Sequence, residues 1–356
     1  MTTNIQEVTP EESTSRSPIQ NYLGSFTLRL FALSIFIAGI MFSFNVNIGA
    51  IGQGLSYSLV GVAVFITFRI LEFPDLTVDG SFPIGGAVFA VMVIAGQPAE
   101  FVLLAAFMAG ALTGLVTALI NVFFKIEGLL ASIIVITGAF TITLRIMDGT
   151  SNLPLMSART ITSPYKTEFR EWLMGQFGEN MRRHSNNILE IVAFGLVVAI
   201  ALLLLNWFMH TELGLTIRAA GKNNQMLRAL GINHNWMIIL GLMISNGLVG
   251  IAGALTVQNF GYADVRMGFG VIIRGLAAVM IGEVLLRPKT IGQHIVAVTA
   301  GMLIFDFSRA WVVTSFDLPT TDFRLVSALV VLTALAAPNI NDRWRNWQKK
   351  QKRGVI

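Results

Sequence analysis

The stretch M-H-T-E-L-G-L-T-I-R-A-A-G-K-N-N-Q-M-L-R-A-L-G-I-N-H-N, Met209 to Asn235, is polar, yet long apolar runs stand on both sides of it. Gly221-Lys222-Asn223-Asn224 within it is a turn-forming tetrapeptide. Before the turn, Leu213, Ile217 and Ala220 share one helical stripe; after it, Leu227 and Leu230 share another. Arg218, Lys222 and Arg228 fall off both stripes. The pattern predicts two short amphipathic helices with basic residues at their contact surface. Two readings stand side by side: the helices dock on a partner protein in the cytoplasm, or they form a solvated loop lying on lipid headgroups.

The flanks set the fold class. The chain has 356 residues, 54% hydrophobic and 13% charged, with mean hydropathy +0.68. A soluble domain carries about 25% charged residues, so most of this chain needs lipid as its solvent. Runs of roughly 20 apolar residues cross the hydrocarbon layer. The sequence offers ten, at 26–44, 48–71, 81–96, 99–121, 128–147, 188–208, 236–257, 269–286, 291–312 and 323–338. The expectation is an all-α polytopic membrane protein of about ten spans. The third and tenth are short enough to be tilted, kinked or re-entrant.

Charge orients the bundle. Residues 1–25 are polar without a basic start and predict a disordered cytoplasmic tail. A membrane domain follows over 26–340. The tail 341–356 holds six Lys or Arg against one Asp, which places it in the cytoplasm. Counting back from it puts Lys125, the 209–235 loop and Arg287/Lys289 on that same side. The loop 148–187 falls outside; with five basic and four acidic residues it is nearly neutral. It is expected to be a periplasmic cap with one or two short helices around Phe169–Phe177. The net charge of +5 therefore reports topology and not nucleic-acid binding. There is no Cys, and the four His have no metal-ligand spacing, so no metal site is expected.

The second informative segment is L-E-F-P-D-L-T-V-D-G-S-F-P, Leu71 to Pro83. Glu72, Pro74, Asp75, Asp79, Gly80, Ser81 and Pro83 stand between two apolar runs. Pro and Gly at this density break a helix and leave backbone groups unpaired, which lipid does not tolerate. A carboxylate at bilayer depth costs roughly 2.5–3.5 kcal/mol. One reading is a discontinuous helix lining a solute path; the other is a plain cytoplasmic turn whose carboxylates are solvated. Ser58–Ala90 laid on Gly247–Val279 matches at Leu59/Leu248, Gly61/Gly250, Thr67/Thr256, Asp75/Asp264 and Gly86/Gly275, among others. The second apolar run is thereby paired with the seventh, an odd offset that inverts one half against the other. Gly261-Tyr262-Ala263-Asp264 then occupies the place equivalent to the first break.

Two resemblances sharpen these expectations. The run Gly214 to Asn233 resembles the cytoplasmic coupling loop of ABC importer permeases of the branched-chain amino acid, simple sugar and nucleoside type. Arg218, Ala219, Gly221, Asn223, Ala229, Gly231 and Ile232 match that loop, while Met226 and Leu227 stand where small residues are more frequent. Phe73–Val88, Gly261–Asp264 and Gly275–Glu283 resemble one subgroup of these permeases, linked to aromatic or other amino acids and to lipoprotein-like binding proteins. Arg274 departs from its apolar norm.

The resemblance implies a type II importer-like fold. Its coupling residues would be Gly214, Arg218, Ala219, Gly221, Asn223, Arg228, Gly231, Ile232 and Asn233. Its solute path would run past Glu72, Pro74, Asp75, Asp79, Ser81, Asn246, Tyr262, Asp264, Arg274 and Glu283. Arg274 there either binds a solute carboxylate or pairs with Glu283. The implied partners are an ABC ATPase dimer, a second permease copy or homologue, an extracytoplasmic solute-binding lipoprotein and membrane lipid. No G-x-x-x-x-G-K-[ST] occurs in the chain, since Gly221-Lys222 is followed by Asn. ATP and Mg²⁺ are accordingly expected on the partner ATPase, and no cofactor and no catalytic residue on this chain. The alternative is an ion-coupled secondary transporter with Glu72, Asp75, Asp79 or Asp264 as its ion site; a scaffold or channel is the third.

Overall fold

The computed structural model describes residues 26–31, 49–155, 158, 160–177, 185–222 and 224–316, with isolated positions 325, 328, 329 and 332. The tails 1–25 and 341–356, Asn223, and most of the expected spans 26–44 and 323–338 lie outside the described residues. Seven described helices are long and apolar enough to cross a membrane. Helix α1, Gly49–Val64, continues through a π-helical stretch, Phe65–Ile70. Then follow α2 (Val78–Ile94), α3 (Ala99–Phe124) and α4 (Gly128–Ile146). A short strand β1 (Asn152–Pro154) and α5 (Lys166–Phe177) fill the loop expected outside. Helix α6 is Ser185–Met209, and α7 (Glu212–Lys222) and α8 (Asn224–Ala229) make up the polar central stretch. After them come α9 (His234–Phe260), strand β2 (Tyr262–Asp264), α10 (Val271–Leu286) and α11 (Ile291–Ser315).

Six of the ten expected runs are thus full-length helices; the eighth reaches crossing length only together with the 3₁₀ turn Val265–Gly268 that precedes α10, and the third is α2, with 17 residues too short to cross upright. Its length has a physical cause. Chain leaving α1 turns at Glu72, held at φ 53°, and runs back without helical hydrogen bonding before α2 starts at Val78. Ser81, in the first turns of α2, already bonds Asn246, which stands near the midpoint of α9. Helix α2 therefore begins inside the bundle, not at its surface.

The two halves repeat this arrangement. Helices α1 and α9 lie antiparallel: Gly52 faces Asn259, Ser245 Oγ bonds the Ala63 carbonyl at 2.9 Å, and Leu71 faces Gly241. Each is followed by an irregular segment and then a short helix. In each segment an aspartate accepts the backbone N–H two residues on, Asp75 from Thr77 at 2.9 Å and Asp264 from Arg266 at 2.6 Å. The sequence match at offset 189 marks these same positions. At the outer end the second segment is tied down by β1, whose Leu153 pairs with Ala263 in an antiparallel register.

Helix α9 is the central element, packed on α1, α2 and α3 and buried along most of its length. Small residues make that packing possible. A Cβ at Gly110 or Gly114 of α3 would overlap the carbonyl oxygen of Asn246 or Leu242, and one at Gly250 would overlap that of Ala106. The two backbones touch. Gly250→Val should therefore push them apart and cost about 1–3 kcal/mol, read as a lower melting midpoint of the detergent-solubilised protein. A midpoint equal to that of the wild type would show slack in this seam.

Candidate functional site

The first break is sealed by a polar network buried at mid-depth. Asp75 Oδ1 accepts from Thr77 N–H at 2.9 Å and from Ser132 Oγ of α4 at 3.4 Å; Asp75 Oδ2 accepts from Asn246 Nδ2 at 2.7 Å. Asn246 Oδ1 in turn accepts from Ser81 Oγ at 2.6 Å. Ser81 also meets Thr113 Oγ1 of α3, and Thr77 Oγ1 lies 2.7 Å from Thr117 Oγ1. Asp75, Thr77, Ser81, Thr117, Ser132 and Asn246 have no solvent-exposed surface. A solvated turn is therefore not what this segment forms. The carboxylate sits inside the bundle and is satisfied there, as buried charge requires.

The second break meets the first. Asp79, one residue into α2, accepts the backbone N–H groups of Gly270 at 3.1 Å and Ile272 at 2.8 Å. These are free donors at the start of α10, where the helix dipole also favours an anion. Two short helices thus begin next to each other within the membrane, and an acidic side chain of one completes the other. Beside them, Asp79, Gly80, Pro83, Ile136, Phe140 and Phe269 line a cavity of about 280 Å³.

The remaining solute-path candidates separate into other places. Glu72 is exposed and Pro74 half-buried where the first break begins. Tyr262 and Asp264 stand at the outer end on β2, Tyr262 stacked on Phe260 and Asp264 beside Asn152 at 3.5 Å. Arg274 does not pair with Glu283, which corrects one of the two expectations for it. Its guanidinium lies 4.6 Å over the Tyr57 ring, because α10 turns that residue toward the outer half of α1. Glu283, more than two turns further along, instead forms an ion pair with Arg69 at the inner end, with His294 Nδ1 at 3.7 Å. Asp306 and Arg309 of α11 were not singled out in the sequence, although two charges inside one apolar run are a visible signal. They lie 3.6 Å apart, buried, with Arg309 Nη2 donating to Gln53 Oε1 at 2.8 Å.

On the inner side α7 buries Gly214, Ile217 and Ala220, and α8 buries Leu227. Of the expected stripes Ile217, Ala220 and Leu227 are buried, while Leu213 and Leu230 are exposed. Gly214 takes the buried place because a Cβ there would overlap the backbone of Phe208 and Met209. Gly221 presses against the Ile70 carbonyl, where a Cβ would not fit. The outward surface of the two helices keeps Leu213, Leu215, Met226 and Leu230 exposed. Arg218, Ala219 and Lys222 instead line a groove of about 830 Å³ with Arg69, Arg287 and Lys289. For Arg228 only the helical backbone is described, while Gly231 (φ 73°), Ile232 and Asn233 form the turn into α9, Asn233 capping it at Asn235 N–H.

Paired broken spans that begin at mid-membrane, above an inner loop braced on one of them, define a membrane permease. The family model described as "Branched-chain amino acid transport system / permease component" matches residues 47–335, and the chain belongs to that family. It is a multi-pass membrane protein, the permease component of an ABC transport system, a class whose members work with an ATPase and a binding protein. A "Tyrosine transport system permease protein" of Clostridioides difficile (strain R20291) is 35% identical over 294 residues, covering 83% of this chain and 92% of that one. The "Ribose import permease protein RbsC" of Escherichia coli (strain K12) is 27% identical over 286 residues, 78% of this chain and 81% of its own. The "Galactofuranose transporter permease protein YtfT" of the same strain is 25% identical over 264 residues, 73% and 70% of the two chains. No solved structure matches.

Removing the Asp75 carboxylate leaves Thr77 N–H and the Asn246 amide short of a buried acceptor, at about 1–3 kcal/mol. Asp75→Ala should therefore lower the melting midpoint and reduce uptake. Unchanged melting and uptake would show that the network does not hold the break.

Proposed function

We propose that this chain moves an amino-acid-class solute inward across the bacterial inner membrane, as the membrane-spanning subunit of an ABC importer driven by a separate ATPase. Tyrosine is the first solute to test, because a relative 35% identical over 83% of this chain carries it in its name. ATP and Mg²⁺ belong on the ATPase. An ATPase dimer offers two sockets, so a second copy of this chain or a homologous permease completes the assembly. The binding lipoprotein meets the outer face, where β1 pairs with β2.

One observation carries the coupling part of this reading. Helix α7 rests on the Ile70 carbonyl through Gly221, immediately before the first break, while its outward apolar residues stay uncovered. An exposed apolar surface beside cations, on a short helix braced from behind, fits a docking element better than a headgroup-bound loop. Force applied to α7 reaches the chain that leads into Asp75. In this reading Gly214, Arg218, Ala219, Gly221, Asn223, Arg228, Gly231, Ile232 and Asn233 form or support the coupling loop. Asp75, Asp79, Ser81 and Asn246 govern the passage. Glu72 and Pro74 open it, Tyr262 and Asp264 stand at its outer end, and Arg274 and Glu283 flank it.

Arg218→Glu should leave the chain inserted but reduce co-purification of the ATPase and ATP-driven tyrosine uptake by about tenfold or more, the scale of a lost docking charge. An intact, coupled complex from this variant would remove the docking role.

A further inference from the structure

On the inner side α7 packs on α6, on α9 and on the π-helical end of α1, but shares little direct packing with α10 and α11. The groove of about 830 Å³ lies between α7 and the turn that joins those two helices. Part of its lining is apolar and belongs to the ends of spans: Phe65 and Ile70 of the π-helical stretch and Ile291, the first residue of α11. The groove therefore opens at the depth where hydrocarbon gives way to headgroups.

Cations converge on it from three elements. Arg69 comes from the end of α1, Arg218 and Lys222 from α7, and Arg287 from the cap of α10. Glu283 is the only carboxylate among the described lining residues, and Arg69 pairs with it. Lys289 also lines the groove and has an interaction of its own. The side chains of Arg218, Lys222 and Arg287 form no hydrogen bond or ion pair among the described residues. Three cations on two elements thus share one groove without a counter-charge. Basic pockets between transmembrane helices on the cytoplasmic side take anionic lipid headgroups.

We propose that this groove holds an anionic phospholipid of the inner leaflet, its phosphate among Arg218, Lys222 and Arg287 and an acyl chain along Phe65, Ile70 and Ile291. The bound lipid bridges α7 to the α10–α11 turn. A free phosphate ester would satisfy the cations but leave the apolar wall uncovered, and so would an acidic segment of a soluble partner. Leu213, Met226 and Leu230, exposed on α7, α8 and the turn after them, do not line the groove. Lipid and ATPase therefore address different surfaces. The inference needs the chain to span the membrane with this side inward, and is independent of the solute it carries.

The test titrates the full-length chain in non-ionic detergent with dioleoyl-phosphatidylglycerol or dioleoyl-phosphatidylcholine and counts bound lipids by native mass spectrometry. At about fivefold for each cation beside an anionic headgroup, the wild type should prefer phosphatidylglycerol by roughly 100-fold. Lys222→Gln combined with Arg287→Gln should keep only about fivefold of that preference. Lys125→Gln, at an exposed cation outside the groove, should keep all of it. Each preference is a ratio taken within one variant, so a partly unfolded sample does not imitate the loss. A wild type without preference, or a double variant that retains the wild-type ratio, would overturn the site. An equal loss in Lys125→Gln would do so too, by showing a general attraction of anionic lipid to this surface. Glycerol 3-phosphate should not displace the lipid; displacement at matched concentration would make this a site for a soluble phosphate ester. Loss of the lipid on adding the purified ATPase subunit would assign the groove to the protein interface instead.

Discussion

A helix interrupted inside a bilayer exposes backbone donors and acceptors that lipid cannot satisfy. The rest of this structure follows from how that demand is met twice over. Chain between Leu71 and Thr77 is secured by Asp75, whose carboxylate collects a backbone N–H, the Asn246 amide and the Ser132 hydroxyl. Donors at the start of α10 are secured from outside their own half, by Asp79 of α2. Neither break is complete without residues of the other repeat, since Asn246 belongs to α9 and Asp79 to α2. That mutual dependence holds two antiparallel halves in one register. Among the described residues it also brings irregular backbone of both halves together near mid-depth.

Helix α1 makes polar contacts at its outer end, its middle and its inner end. Its outer end carries Gln53 and Tyr57 against the Arg309, Asp306 and Arg274 cluster. At its middle, the Ala63 carbonyl is held by Ser245 of α9. Its inner end presents Arg69 to Glu283 and the Ile70 carbonyl to Gly221. Between the middle anchor and the inner contact the helix is wound as a π-helix over Phe65–Ile70. Such turns are uncommon and recur at functional positions. Here the looser winding is placed between a fixed point and the surface proposed to receive the ATPase.

Much of this was legible in the sequence, and for identifiable reasons. Length and hydropathy gave the spans, because burying about 20 apolar residues in lipid has few structural alternatives. The density of Pro, Gly and Asp in 71–83 offered a broken span as one of two readings, and the Asp75/Asp264 match pointed to its counterpart. What the sequence did not separate was where each polar residue points. Asp75 and Asp79 are four residues apart, yet one faces α4 and α9 and the other faces α10. Arg274 and Glu283 share one helix, but Arg274 looks toward the outer half and Glu283 toward the inner end. The stripe on α7 held at Ile217 and Ala220, but its first position is Gly214 and not Leu213, because leucine outranks glycine in any hydrophobic count, whereas close backbone contact favours glycine. Thr77, Thr113, Thr117 and Ser132 were invisible, since a hydroxyl in an apolar span can satisfy itself on the preceding turn and many do.

The same distinction bears on Asp306 and Arg309. Three residues apart on a helix, an acid and a base read as a local pair, which is how most such pairs behave and which contributes little where solvent reaches them. Here both are buried and Arg309 also donates to Gln53, so the pair does more than sit on one face of a helix: it ties α11 to α1 across the outer half of the bundle.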